Sequence, residues 1–361
     1  MANRSSSALP ILCASFNQDN SCFAIGTRDG FRIYDAQTGR LCYERSIGAF
    51  SIVEMLFTSS LLAIVGAGEQ PSLSPRRLCL FNSTTGTTLR ELNFLTSILA
   101  IRLSRKRLIV VLQEKTYIYD LNSLAILDTI ETVPNLKGLC AFAPNSDGCY
   151  LALPASKTKG SVLVYNTMEL FSFCQIDAHQ KPLAAIAFSP NGMYMATASD
   201  QGTIIRVHLV LQATKSYCFR RGTYPSVIYS LSFGPSMDAP DVLVATSSSG
   251  SIHVFSLESM LNQSKPTSLL GSVIPDSIND ALESSHHHVI HKTVPQGVKS
   301  HIVVQRVDKA AGPAAPISPS SAIRSSVFLL DQGGHFREFS INISSSKDLS
   351  WSLERESNLF M

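Results

Sequence analysis

Residues 183–209 read LAAIAFSPNGMYMATASDQGTIIRVHL. Three short apolar runs are separated first by Ser-Pro-Asn-Gly and then by Asp-Gln-Gly. Runs of this length bounded by Gly, Pro, Asn and Asp are strands joined by tight turns. The same three-strand phrase occurs at 11–39 (ILCASFNQDNSCFAIGTRDGFRIYDAQTG), at 139–167 (LCAFAPNSDGCYLALPASKTKGSVLVYNT) and at 228–257 (IYSLSFGPSMDAPDVLVATSSSGSIHVFSL). Looser copies lie at 52–86 and 98–123. Helical periodicity is nearly absent.

Anchoring each copy on one apolar position picks out Phe16, Phe57, Leu103, Phe142, Phe188 and Phe233, at separations of 41, 46, 39, 46 and 45 residues. A period of about 40–45 with four short strands per unit marks the blade of a WD40-like β-propeller. A seventh, degenerate copy is expected from HIVVQRV at 301–307 and SSVFLLDQGGHFREFSI at 325–341. Trp351 is the single tryptophan, so the Trp-Asp dipeptide of ordinary WD40 repeats is absent. The expected fold is all-β: a seven-bladed WD40-like β-propeller over residues 9–342, with a strand near Ile11 closing the ring. Residues 343–361 read as a C-terminal tail. Residues 258–300 are too long for a propeller turn and form a loop inserted in blade six. Residues 309–323, KAAGPAAPISPSSAI, read as a flexible linker.

Composition bounds the function. A net charge of +3 with 45% hydrophobic residues describes a well-cored protein and gives no footing for nucleic acid. The longest apolar run, 59–68, falls well short of the about 20 residues that a membrane span needs. Eight scattered cysteines without a CxxC suggest free thiols in a reducing cytosol. No P-loop, nucleophile elbow or HExxH is present, so no enzyme and no cofactor are expected. His286, His287, His288 and His291 have no cysteine or carboxylate companions, which argues against a metal site and for a pH-sensitive cluster.

The stretch SYCFRRGTYPSVIYS at 216–230 places Arg220 beside Arg221 at the end of a strand. Neighbouring strand residues point in opposite directions, so the two cations should diverge. One could be solvated and the other paired with the next blade. Alternatively, each fork of guanidinium donors serves its own phosphate. Hydroxyls and imidazoles on both sides of the pair suit the second reading.

The motif FRRG, preceded by AHQKPLAAIAFSPNGMYMATASDQGTIIRV (178–207) and followed by IYSLSF and VATSSSGSIHVF, resembles the PROPPIN family. So does GAGEQPSLSPRRLCLFN (66–82). These are β-propellers that bind polyphosphoinositides in autophagy and endolysosomal traffic, and this chain resembles a compact, plant-type member. The resemblance implies two lipid sites on the rim of blades five and six, for phosphatidylinositol 3-phosphate and phosphatidylinositol 3,5-bisphosphate. Arg220 would join His179, Ser199, Thr203 and Arg206. Arg221 would join Thr246, Ser247, Ser249, Ser251 and His253. It further implies that the blade-six insertion dips into the membrane through Leu269, Leu270, Val273 and Ile274. Few aromatics flank these residues, so a shallow insertion is expected. Pro75, Arg76 and Arg77 would dock an autophagy lipid-transfer protein. The implied protein is a monomeric scaffold, cytosolic and peripheral on preautophagosomal, endosomal and vacuolar membranes. The competing reading is a generic WD40 adaptor whose arginines bind an acidic peptide.

Overall fold

The computed structural model describes residues 11–236, 240–257, 287–309, 323–344 and 348–360. Twenty-eight strands among these residues form seven antiparallel sheets of four, each built from consecutive strands. The first strands of most neighbouring sheets lie against one another around the ring, and that of the seventh returns to that of the first. This is a seven-bladed β-propeller, as the repeat period requires. Five of the six anchor residues close the first strand of their blade; Phe57 lies just beyond Phe50–Met55, with φ 49°.

Each blade presents one apolar face to the blade before it and one to the blade after. Ile205, Val207 and Phe219 of blade five interlock with Phe233, Leu243, Ala245 and Phe255 of blade six. Val244, Ile252 and Val254 on the opposite face of blade six pack on Ile302, Val327 and Phe339 of blade seven. Alternation along each strand therefore serves two cores, and the second and third strands are buried on both sides. The fourth strands form the outer wall; Thr87–Asn93, for instance, is almost wholly exposed.

Ring closure differs from the expectation. The strand Cys13–Phe16 pairs within blade one, and blade seven takes all four of its strands from Ser300–Lys309, Ile323–Asp331, His335–Ile343 and Leu349–Asn358. Among the described residues no strand is exchanged between the two blades. Side chains join them instead: Phe23 stacks on Phe336 at 4.6 Å, and Ile11 is buried beside Phe328 and Leu330. Tyr34 Oη donates to the Leu359 carbonyl at 3.1 Å, and Arg355 Nη2 donates to that of Ala36 at 2.7 Å. The segment 343–361 is thus no tail, because Leu349–Asn358 forms the outer strand of blade seven.

The insertion is also shorter than expected. His287–Ile290 pairs with Ile252–Phe255 as the fourth strand of blade six, so 287–300 belongs to the propeller. The membrane-loop residues Leu269, Leu270, Val273 and Ile274 lie outside the described residues. Most of the expected linker lies outside them as well; its end residues Lys309 and Ile323 are paired in blade seven.

Candidate functional site

Arg220 ends the fourth strand of blade five, Thr214–Arg220, and sits opposite Ile204. Two residues earlier, Cys218 faces Arg206, which in turn faces Thr197. Phe219, one residue away, is buried toward blade six. By this alternation Arg220 shares the face of blade five that looks to blade four. His179 closes the last strand of blade four, Phe171–His179, with its Nε2 3.0 Å from Thr197 Oγ1. Arg206 Nη1 donates to the Ala178 carbonyl at 2.7 Å, tying the two blades together. Ser199 ends Tyr194–Ser199, the second strand of blade five, buried, and Thr203 occupies the following turn. The structure thus brings His179, Ser199, Arg206 and Arg220 to the seam of blades four and five, while Thr203 lies in the turn beside them with its carbonyl turned to the Arg221 amide. Arg220 is half-buried, with no side-chain hydrogen bond or ion pair among the described residues.

Arg221 has left the strand and is 8% exposed. Its amide donates to the Thr203 carbonyl at 2.8 Å, its Nε donates to that of Gly202 at 2.8 Å, and its Nη2 donates to that of Tyr224. Among the described residues no carboxylate pairs with it, and burial holds its pKa below the usual guanidinium value. The alternative of a salt bridge to a neighbouring blade finds no partner among them, and this cation is held by carbonyls. Its charge acts on the imidazoles of His253 and His287 in blade six. The two arginines diverge, one toward each neighbouring blade.

The second cluster gathers on one face of blade six. Ser247 is 2.8 Å from Ser249 Oγ and 3.3 Å from His253 Nε2. His253 sits opposite Ala245 on the face toward blade five, and Ser251, two residues before it, is buried. Thr246 is not part of this group. It faces Ile252, which packs on blade seven, and its Oγ1 donates to the Ser300 carbonyl at 3.1 Å. Strand parity sends it to the opposite groove.

Three participants were not assigned to either site from the sequence, which read His287 only as part of a pH-sensitive histidine cluster. His287 Nε2 lies 2.9 Å from His253 Nδ1, and its ring stacks on Phe255 at 4.6 Å. Ser226 and Ser248 share a 3.0 Å hydrogen bond, and Ser226 Oγ accepts from the Ser249 amide at 3.1 Å, seating the hydroxyl turn on the loop after Arg221. Burial is the main cause that depresses both imidazoles, His253 to about 3 and His287 to about 4. The turns depend on glycine. Gly202 (φ +59°) and Gly250 (φ +77°) are left-handed, and a Cβ would meet the Ser226 carbonyl at 1.9 Å or the Val294 carbonyl at 2.1 Å.

Pro75 and Arg76 lie in blade two, well away from these seams, and Arg77 begins the strand Arg77–Asn82. The Pro75 and Arg76 carbonyls accept from Ile98 and Phe94, while Arg77 pairs with Glu91 at 3.3 Å. The Arg76 side chain is exposed. Among the described residues no group of three or more His, Cys, Asp or Glu is placed to hold a metal, and no helix is long and apolar enough to cross a membrane.

Comparison with known proteins matches residues 10–272 to the PROPPIN family. The chain is 63% identical to autophagy-related protein 18b of Arabidopsis thaliana, over 100% of this chain and 99% of that protein. It is 36% identical to autophagy-related protein 18 of Dictyostelium discoideum, over 83% and 85% respectively. Among solved structures, Kluyveromyces lactis Hsv2 with complete loop 6CD superposes with TM-score 0.74 at 19% identity, covering 97% of this chain and 99% of that one. The complex of KlAtg21 with the coiled-coil of AgAtg16 gives 0.72 at 22% identity, covering 97% and 100%. The motif around the arginine pair, the seven blades, the family match and a relative matched from end to end agree: the chain belongs to the PROPPIN family.

Proposed function

We propose that this chain is a non-catalytic scaffold recruited to membranes through two 3-phosphoinositide headgroups, phosphatidylinositol 3-phosphate and the 3,5-bisphosphate. Arg220 with His179, Ser199, Thr203 and Arg206 forms one site. Arg221 with Ser247, Ser249, Ser251 and His253 forms the other. The observation that carries this reading is the divergence of two adjacent cations, neither paired with a carboxylate among the described residues, toward separate clusters of hydroxyls and imidazoles. Guanidinium forks suit phosphate oxygens, and charge-assisted bonds of this kind are the strong ones. Thr246, held by Ser300, stands outside the second site as a supporting residue. Leu269, Leu270, Val273 and Ile274 would add apolar burial at the membrane.

On this reading the protein works in the cytosol and on autophagosome-forming, endosomal and vacuolar membranes. Pro75, Arg76 and Arg77 leave the lipid seams free and would receive a protein partner, an autophagy lipid-transfer protein. The coiled-coil bound to KlAtg21 supports the idea that such propellers carry protein partners beside lipid. Flotation with liposomes that contain or lack phosphatidylinositol 3-phosphate tests the proposal. Lipid-dependent flotation should weaken with added salt, because exposed charge pairs are screened over about 8–10 Å. Either single arginine substitution should cost far more than half the binding, since a second site on one surface adds avidity of about 10²–10⁴. An Arg220→Thr, Arg221→Thr double variant that still floats would overturn it.

A further inference from the structure

His287 stands 34 residues after His253 in the chain, on the strand that follows the blade-six insertion. The two rings are nonetheless joined, Nδ1 to Nε2, at 2.9 Å, with centroids 5.2 Å apart and planes 25° from parallel. From His253 the contacts continue through Nε2 to Ser247 Oγ at 3.3 Å and on to Ser249 Oγ at 2.8 Å. Ser249 is exposed, so this is a relay of four side chains that starts half-buried and ends in solvent.

We infer that His287 is the positioning residue of the second headgroup site: it sets the direction of this relay, and a phosphate bound at the outer end holds an added proton in the His253–His287 pair. The inference rests on the function proposed above.

Hydrogen counting gives the relay two directions. If His287 Nε2 carries the proton, it donates to His253 Nδ1. Then His253 Nε2–H donates to Ser247, Ser247 donates to Ser249, and the Ser249 hydroxyl hydrogen is left facing outward. If His253 Nδ1 carries the proton, every bond reverses and Ser249 donates inward. An anion selects the first state, because only that one ends in a donor. Protonating the pair also leaves His253 Nε2–H donating toward Ser247, the same outward sense, and adds a positive charge.

The described surroundings lack a counter-charge. Arg221, reaching from blade five, acts on both rings, His291 acts on His253 and His288 on His287, all in the sense that disfavours a proton. Among the described residues no carboxylate acts on either ring. Burial among like charges keeps the pair neutral when the site is free. A phosphate on Arg221 and Ser249 supplies the missing negative charge, which raises the proton affinity of the pair.

The test is calorimetric titration with inositol 1,3-bisphosphate in the Arg220→Ala background, which isolates the second site. It is repeated from pH 5.5 to 7.5 in buffers of different ionisation enthalpy, so that proton uptake is read directly. The parent should take up part of a proton on binding, more at pH 5.5 than at 7.5. His287→Phe keeps the ring stack on Phe255 but removes both nitrogens. It should bind about threefold to tenfold more weakly at pH 7, as loss of one net hydrogen bond implies, and its proton uptake should fall. His287→Gln can donate in the outward sense without titrating, and should recover the affinity but not the uptake. Equal affinity and equal uptake in parent and His287→Phe would overturn the inference while leaving the lipid function standing. Should His287→Phe fail to fold, undiminished uptake by His287→Gln would overturn it. No binding by the parent or by the wild type, to the headgroup or to liposomes, would overturn both.

Discussion

Arg220 and Arg221 are chain neighbours with opposite structural debts. Arg220 holds nothing else in place, whereas Arg221 donates from its side chain to two carbonyls in a buried setting. Arg220→Ala should therefore change stability by no more than about 0.5 kcal/mol. Arg221→Ala should lose about 1–3 kcal/mol, because the buried Gly202 carbonyl is left unpaired. Urea unfolding of the two variants checks this, and equal midpoints would contradict it. Histidines set the acid limit at the same scale. His253, His287 and His301 are all depressed by burial, to about 3, 4 and 4, from an unfolded value of about 6.5. A base with a depressed folded pKa stabilises fully above the unfolded value and loses that contribution as pH falls through the gap. Glu54, pushed up to about 7 by burial against the pull of Arg102, acts in the opposite sense between about 4.5 and 7. Three histidines outweigh one carboxyl, so stability should fall between pH 6.5 and 4 by about 2 kcal/mol per unit. Thermal melts across that range measure it.

At the scale of elements, the turns joining second and third strands aim the hydroxyls. Gly250 lies left-handed against the Val294 carbonyl, and both Thr293 and Val294 donate their amides to the Gly250 carbonyl, at 2.9 and 3.1 Å. An alanine there incurs left-handed strain of about 1–2 kcal/mol before the clash is counted. Gly250→Ala should displace Ser247 and Ser249, so that headgroup titration falls from two sites to one while the Arg220 site persists. Retention of two sites would show that the turn does not aim the second cluster.

At the scale of the molecule, the ring closes through side chains rather than an exchanged strand. Phe336 touches Phe23 at 4.6 Å and Phe328 at 5.4 Å, and is fully buried. Phe336→Ala should cost about 3–5 kcal/mol, as large core deletions do. Removing residues 349–361 should be worse in kind. It strips the partner of His335–Ile343 and leaves a long bare edge, together with the loss of the Leu359 and Arg355 contacts to blade one. Size-exclusion chromatography should find aggregates instead of a monomer; a stable monomeric truncation would show that blade one alone closes the ring.

The repeat and the fold class were determined by the sequence alone, because strand alternation and Gly/Asn/Asp turns are local and survive without a Trp-Asp signature. Alternation also announced that Arg220 and Arg221 would part. The tertiary structure decided which groove each residue enters. Thr246 and Ser247 are adjacent hydroxyls that look identical in sequence, yet one strand step sends Thr246 to blade seven and Ser247 to the second cluster. It decided that His287, distant along the chain, meets His253, because that contact exists only once four strands pair into blade six. It also decided how the ring closes: residues 349–358 alternate Leu349, Trp351 and Leu353 with polar residues as a strand does, but only their pairing with His335–Ile343 makes them the outer strand of blade seven.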